Sequence, residues 1–252
     1  MRTKMKTLAA ALAIVGTAAL PTTASAVSVG LELLLLTDVS GSVDSSEYTL
    51  QKTGYVNAFN STTVQNAISA TPGGIAVFYG EWSGSTQQSM KVGWTLITNA
   101  TQASAFAAAI SGTTRSFSGS TAPGSALNWA TPLFSNNGFE GLREVIDVSG
   151  DGSQNDGSST SAARNAALLA GVDAINGLPI LGSEAGLETW YQNNIRGGTG
   201  SFVLAANDFV DFQSAIEQKL AREITGTVPE PFSAALVGLG LLGLSLTRRR
   251  RC

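Results

Sequence analysis

One apolar run that ends abruptly in small polar residues constrains the fold of this chain more than any other stretch. Leu33 to Leu36 follow one another without a polar residue, and the sequence then reads Asp-x-Ser-x-Ser from Asp38 to Ser42. An uninterrupted apolar run is typical of a strand that is buried on both faces, as in the middle of a parallel sheet. The stretch therefore predicts a central strand whose carboxyl end presents one carboxylate and two hydroxyls.

The three oxygen donors of this segment are candidate metal ligands. Asp38, Ser40 and Ser42 stand at alternate positions of a turn opened by Gly41, so a curled backbone would bring their oxygens to one point. Hard oxygen ligands suit Mg²⁺, Mn²⁺ or Ca²⁺ rather than zinc. Alternatively, Asp38 caps the next helix and the serines only line a loop. The five residues by themselves leave both interpretations open.

Two further segments give the chain a resemblance to the metal-ion-dependent adhesion site (MIDAS) of von Willebrand factor A (VWA) domains. Asp38 to Ser42 is similar to the first segment of that site, and Thr121 lies in a Gly-x-Thr-x-x-Gly sequence that matches the second. Asp151, in an Asp-Gly pair after an apolar strand, matches the third. The resemblance covers residues 29 to 224 and is greatest to bacterial VWA proteins of unknown function. One departure is Gly150, where many relatives carry Thr before the Asp.

This resemblance implies a fold, a site and a kind of partner. The implied fold is a doubly wound, mostly parallel α/β sheet with helices on both faces. The implied ion is Mg²⁺, with Mn²⁺ or Ca²⁺ as alternatives, and a protein or extracellular-matrix partner would supply a carboxylate to it. The implied metal ligands, direct or through water, are Asp38, Ser40, Ser42, Thr121 and Asp151.

These features favour a binding protein over an enzyme. A structural matrix protein, whose metal only stiffens the loops, is one alternative. A metal-dependent hydrolase that uses the ion as a Lewis acid is another, but the sequence offers it no obvious general base.

The composition excludes several other kinds of site. The chain has no histidine, so it can form neither a Ser-His nor a Cys-His nucleophile pair. Its one cysteine, Cys252, excludes a disulfide framework and a thiolate metal site. Residues 27 to 227 contain 8 Lys and Arg against 17 Asp and Glu, which gives a net charge of −9. A nucleic-acid partner is therefore not expected.

Residues 1 to 26 have the pattern of a secretory signal peptide. Basic residues at the start are followed by an apolar core from Leu8 to Leu20 and by the small residues Ala24-Ser25-Ala26. A buried first strand is the competing interpretation, but the basic start and the Ala-x-Ala end favour export. We expect signal peptidase to leave a mature chain that begins at Val27 with a VWA-like domain over residues 27 to 227.

Residues 228 to 252 resemble the PEP-CTERM sorting signal, which exosortase recognises in Gram-negative bacteria. The segment consists of Val-Pro-Glu-Pro at 228 to 231, an apolar run from Phe232 to Leu246 and four arginines from Arg248 to Arg251. The arginines would stay on the cytoplasmic side, so the apolar run would be a short transmembrane helix before processing. The resemblance implies delivery to the cell surface, outer envelope or extracellular matrix. A permanent tail anchor is the alternative.

Between these ends, strand and helix patterns alternate, which favours a doubly wound α/β sheet. Strands are predicted over residues 75–82, 90–97, 144–148, 172–181 and 202–205, and helices over 44–69, 101–110, 123–134, 161–169, 184–193 and 209–224. The short polar turn at 84–88 predicts an antiparallel hairpin that places one strand at the sheet edge. Because ligands of such sheets lie outside the carboxyl ends of the strands, Asp38 and Asp151 are well placed for a site.

Overall fold

The apolar run forms the central strand of the sheet. In the computed structural model, which describes residues 25 to 226, strand β2 (Leu31–Asp38) is buried along its whole length. It pairs in parallel with β3 (Ile75–Trp82) on one side and with β6 (Glu144–Gly150) on the other. Both faces of β2 are therefore covered, as its sequence predicts.

Two antiparallel strands close the edges of this sheet. Strand β4 (Gln88–Ile97) lies beside β3 and runs antiparallel to it. On the other side, β7 (Ala174–Pro179) runs parallel to β6, and the two-residue strand β8 (Gly197–Gly198) runs antiparallel to β7 at the far edge. The strand order is therefore β4-β3-β2-β6-β7-β8. The predicted mostly parallel sheet with an antiparallel edge strand is confirmed, and the short second edge is an addition to it.

Within residues 25 to 226, seven α-helices cover the two faces of the sheet and enclose one apolar core on each. The side chains of β2 alternate between the cores, with Leu33 and Leu35 on one side and Leu34 and Leu36 on the other. In chain order the helices are α1 (Ser45–Asn60), α2 (Thr62–Ala70), α3 (Ala100–Ser111), α4 (Pro123–Ala130), α5 (Thr160–Leu169), α6 (Leu187–Asn194) and α7 (Phe212–Thr225). The first core lies under α1, α2, α3 and α7, and the second under α4, α5 and α6.

Several predicted boundaries are wrong for local reasons. The single helix predicted over 44–69 is two, because Ser61 is extended and its Oγ accepts a hydrogen bond from the amide of Val64, which starts α2. The strand predicted at 202–205 is reduced to isolated bridges at Val203 and Ala206. The helix predicted over 123–134 changes to a 3₁₀ turn at Thr131–Phe134, where Pro132 cannot donate to the α-helical ladder. A small parallel pair of β1 (Val27–Val29) and β5 (Phe139–Gly141) was not predicted.

An ion cluster inside the first core ties α7 to the sheet. Lys219 Nζ lies 2.5 Å from Asp147 Oδ1 on β6 and 2.5 Å from Glu223 Oε1 one turn along α7, and all three side chains are buried. Burial raises the pKa of Glu223 to about 7 and also raises the pKa of Asp147. Removing the lysine would leave two carboxyl groups without a countercharge in the core.

Both predicted processing signals lie almost entirely outside the described residues, which begin at Ser25 and end at Gly226. Within residues 25 to 226, no helix is long and apolar enough to cross a membrane.

Candidate metal centre

Asp38 lies at the last position of β2, buried where the strand meets the loop. Its Oδ1 accepts a hydrogen bond from the backbone amide of Ser40 at 2.7 Å, so the chain curls around the carboxylate. Its Oδ2 is buried and has no hydrogen-bond partner among the described residues. The alternative role as a helix cap is wrong, because Asp44 caps α1 by accepting hydrogen bonds from the amides of Ser46 and Glu47.

The two serines connect Asp38 to the end of the neighbouring strand β6. Ser40 Oγ lies 3.2 Å from Ser42 Oγ, and Ser42 Oγ donates to Asp151 Oδ1 at 2.7 Å. Ser40 and Asp151 are buried, whereas Ser42 is exposed. The first and third sequence segments, 109 residues apart, therefore meet in one hydrogen-bonded row that opens to solvent at Ser42.

Thr121 reaches the same place from a loop that is fixed on both sides. The backbone amide of Thr121 donates to Asn155 Oδ1 at 2.8 Å, and the amide of Asn155 donates back to the Thr121 carbonyl at 3.0 Å. The side chain of Thr121 faces Gly152, since a Cβ built on that glycine would lie 3.8 Å from Thr121 Oγ1. Thr121 is thus beside the residue that follows Asp151, so the three predicted segments lie together at the carboxyl ends of β2 and β6.

The second glycine of the Gly-x-Thr-x-x-Gly sequence has a steric reason. A Cβ on Gly124 would lie 2.1 Å from the carbonyl oxygen of Ser158, closer than any real contact allows. Glycine at this position lets the first turn of α4 pack directly against the backbone of residue 158. This contact helps to hold the Thr121 loop against the segment that follows Asp151.

The electrostatics of the site favour a cation. Burial raises the pKa of Asp38 from 3.8 to about 8, and the negative charge of Asp151 adds to this shift. Burial also raises the pKa of Asp151, and the negative charge of Glu184 adds to this shift. Both carboxyl groups are hard to ionise because they are buried close together. A divalent cation beside them would stabilise their ionised forms.

The donor set fits a hard divalent ion. Every predicted ligand presents oxygen, and the unpartnered Oδ2 of Asp38 is an acceptor without a donor. Within residues 25 to 226, no group of three or more His, Cys, Asp or Glu could hold a metal by itself. An ion at this place would therefore depend on the hydroxyls of Ser40, Ser42 and Thr121 as well as on the two carboxylates.

Three residues near the site were missed by the sequence reasoning. Arg115 Nη2 donates to the carbonyls of Val39 and Ser40 at 2.9 and 2.8 Å, and its charge lowers the pKa of Asp38. Asn155 positions Thr121, and Glu184 Oε2 accepts from the Ser153 amide at 2.7 Å. These roles depend on loops brought together by the topology. Their only sequence signal is polarity, within loops for Arg115 and Asn155 and at the first residue of a predicted helix for Glu184.

The same fold occurs in several solved structures at low sequence identity. Proximal thread matrix protein 1 from the mussel byssus has a TM-score of 0.57 at 15% identity, over 80% of this chain and 48% of that one. Another structure of the mussel protein, with a TM-score of 0.56 at 19% identity over 76% and 45% of the two chains, has a zinc-occupied MIDAS motif. A von Willebrand factor type A protein from Catenulispora acidiphila has a TM-score of 0.54 at 13% identity, over 77% and 42%. The chain spans less than half the length of these proteins.

The sequence places the chain in a family whose function is not known. No curated protein matches the chain. Residues 28–228 match the model of a family described as protein of unknown function (DUF1194). This match covers most of the chain, so the protein belongs to the DUF1194 family, and its domain has the VWA fold.

Proposed function

We propose that this protein is an exported binding protein that holds a partner through a divalent ion. The observation that carries the proposal is the row from Asp38 through Ser40 and Ser42 to Asp151, with Thr121 beside it and a buried, unpartnered oxygen on Asp38. Asp38, Ser40, Ser42, Thr121 and Asp151 would hold the ion, directly or through water. The VWA fold, which this domain shares with a mussel matrix protein and a pilus adhesin, supports a binding role.

The ion that the donors favour is Mg²⁺, with Mn²⁺ and Ca²⁺ as alternatives. Carboxylates and hydroxyls are hard ligands, and the described residues near the site supply no thiolate or imidazole. The zinc of the mussel protein agrees with a divalent ion at this place without deciding which ion this chain prefers.

An ion in this site would keep affinity for one more anionic ligand. Only two of the five donors are carboxylates, and Arg115 lies close enough to Asp38 to lower its pKa. Ser42 is exposed, so the row of donors is open to solvent at one end. A carboxylate from a protein or matrix partner could therefore complete the coordination shell.

Export and surface sorting complete the proposal. They rest on the signal-peptide pattern of residues 1–26 and on the resemblance of residues 228–252 to a sorting signal, which would make signal peptidase and exosortase the processing enzymes. The domain would then act at the cell surface, in the outer envelope or in the extracellular matrix, with membrane contact limited to the tail before processing.

Asp38→Ala should abolish Mg²⁺ binding and leave the fold intact, because Asp38 lies at a strand end and contributes one of the two site charges. Isothermal titration calorimetry would measure the affinity, and the Mg²⁺-induced rise in melting temperature would report binding to the native state. Thr121→Ala is the graded comparison: losing a neutral hydroxyl should weaken binding less than losing a charge. An equal Mg²⁺-induced shift in wild type and Asp38→Ala would contradict the site.

Partner capture separates binding from a purely structural metal. Wild type should retain an envelope or matrix component with Mg²⁺ and release it with EDTA. Asp38→Ala should retain nothing under either condition. Mg²⁺ that stabilises the protein without any metal-dependent capture would instead favour the structural alternative.

A further inference from the structure

Tyr191 reaches the candidate metal centre from helix α6, which supplies none of the predicted ligands. Its side chain is fully buried, and its hydroxyl has no hydrogen-bond partner among the described residues. Asp38 Oδ2 is another buried oxygen without a partner among the described residues. Buried polar atoms are nearly always paired, because leaving them unpaired costs free energy, so two such atoms close together require an explanation.

Both atoms press against the same glycine at the end of β6. A Cβ built on Gly150 would lie 2.6 Å from Asp38 Oδ2 and 2.8 Å from Tyr191 Oη. The carboxylate and the phenol therefore face the same small space beside the Gly150 backbone. The two atoms are not hydrogen-bonded to each other in this structure. A phenol can donate a hydrogen bond and a carboxylate oxygen can accept one, so a small movement of either side chain would pair them.

A second glycine leaves the space that the Tyr191 ring occupies. A Cβ on Gly177 of β7 would lie 2.7 Å from Tyr191 Cδ1. In the sheet, Gly177 pairs with Val148, two residues before Gly150. The ring thus crosses β7 at one glycine and its hydroxyl arrives at β6 beside another, so any side chain at either position would displace it. The packing directs the hydroxyl to Asp38.

We propose that Tyr191 is a positioning residue of the metal centre and that its hydroxyl donates a hydrogen bond to Asp38 Oδ2. The Ser40 amide already holds Oδ1, so Tyr191 would fix the second oxygen and with it the plane of the carboxylate. A carboxylate oxygen has two lone pairs, which leaves one on Oδ2 for the ion or for ion-bound water. The effect on the metal rests on the proposed function, whereas the contact between Tyr191 and Asp38 does not.

Tyr191→Phe tests the effect on the metal, because it removes the hydroxyl and keeps the ring. We expect Mg²⁺ affinity, measured by titration calorimetry, to fall about tenfold, as when a ligand loses its supporting hydrogen bond. Tyr79→Phe is the matched control: Tyr79 is also fully buried with an unpartnered hydroxyl, but it lies in the core on the other side of the sheet. Wild-type affinity in Tyr191→Phe, or equal losses in both variants, would overturn the positioning role.

A readout without metal tests the contact itself. In proton NMR spectra of the metal-free protein at pH 9, where Asp38 is ionised, the Tyr191 hydroxyl should give a slowly exchanging resonance that is absent from Tyr191→Phe and shifts in Asp38→Ala. A resonance that ignores Asp38→Ala would overturn the proposed hydrogen bond. If this resonance responds to Asp38→Ala while the wild type binds no Mg²⁺, the proposed function fails and the contact stands.

Discussion

Binding of Mg²⁺ should release a proton from Asp38, because burial keeps this carboxyl protonated in the metal-free protein. Burial is the largest cause of the rise in its pKa from 3.8 to about 8. The hydrogen bond from the Ser40 amide and the charge of Arg115 act in the opposite direction and are outweighed. A group with this pKa is about nine-tenths protonated at pH 7, whereas a divalent ion requires the ionised form. Each ion bound at pH 7 should therefore displace close to one proton.

The size and the sign of the pH effect follow from this pKa. Below pH 8, Mg²⁺ affinity should fall about tenfold for each pH unit, or about 1.4 kcal/mol, and above about pH 9 it should be constant. In the unfolded chain Asp38 titrates near 3.8, so between these two pKa values the folded protein binds more protons. Asp38 therefore makes the metal-free protein less stable as the pH rises through this range, and Mg²⁺ should restore stability at the upper end.

Titration calorimetry at pH 7 in two buffers with different ionisation enthalpies would count the protons released. The dissociation constant at pH 6, 7, 8 and 9 would give the slope. Thr121→Ala is the matched control, since it should bind Mg²⁺ more weakly but keeps Asp38, so it should release the same proton with the same pH slope. An affinity that is flat between pH 6 and 8, with no proton released, would show that Asp38 is already ionised and that the reasoning from burial is wrong.

Two other predictions concern the core and the chain ends. Lys219→Met should lower the free energy of unfolding by about 3–5 kcal/mol at pH 8, because it leaves Asp147 and Glu223 buried without their countercharge. Urea unfolding should show a smaller loss at pH 5.5, where Glu223, whose pKa burial raises to about 7, binds a proton; equal losses at both pH values would contradict this. Mass spectrometry of the protein from a host with exosortase should find Val27 first and the arginines at 248–251 absent, whereas an intact tail would indicate a permanent anchor.

The architecture was predictable because a strand buried on both faces has an uninterrupted run of apolar residues in its sequence. The apolar run of β2 placed the central strand, and the short polar turn before β4 placed the antiparallel edge, as the structure confirms. The errors fall where one polar residue decides a boundary. Ser61 sits inside an otherwise helical pattern, and only its extended backbone and its side-chain cap divide α1 from α2.

The candidate metal site could be predicted from the residues themselves only where the predicted ligands lie close together along the chain. Asp38, Ser40 and Ser42 form one visible segment, and the resemblance to VWA domains supplied Thr121 and Asp151. Supporting residues carry no such mark, because they act through space. Nothing in the sequence distinguishes Arg115 from a surface arginine, yet its guanidinium donates hydrogen bonds to two backbone carbonyls 75 and 76 residues earlier in the chain.

Hydrogen bonds within the protein bear on whether the ion serves binding or structure. The loop that carries Thr121 is fixed by contacts that involve no metal: the Gly119 amide donates to Ser83 Oγ at 2.7 Å, and the Gly41 amide donates to the Gly119 carbonyl at 2.7 Å. Arg115 adds two further bonds to the turn after Asp38. Loops that are already held in this way gain little rigidity from an ion. A site that is ordered by the protein and open at Ser42 therefore suits an ion that faces a partner better than an ion that staples the fold.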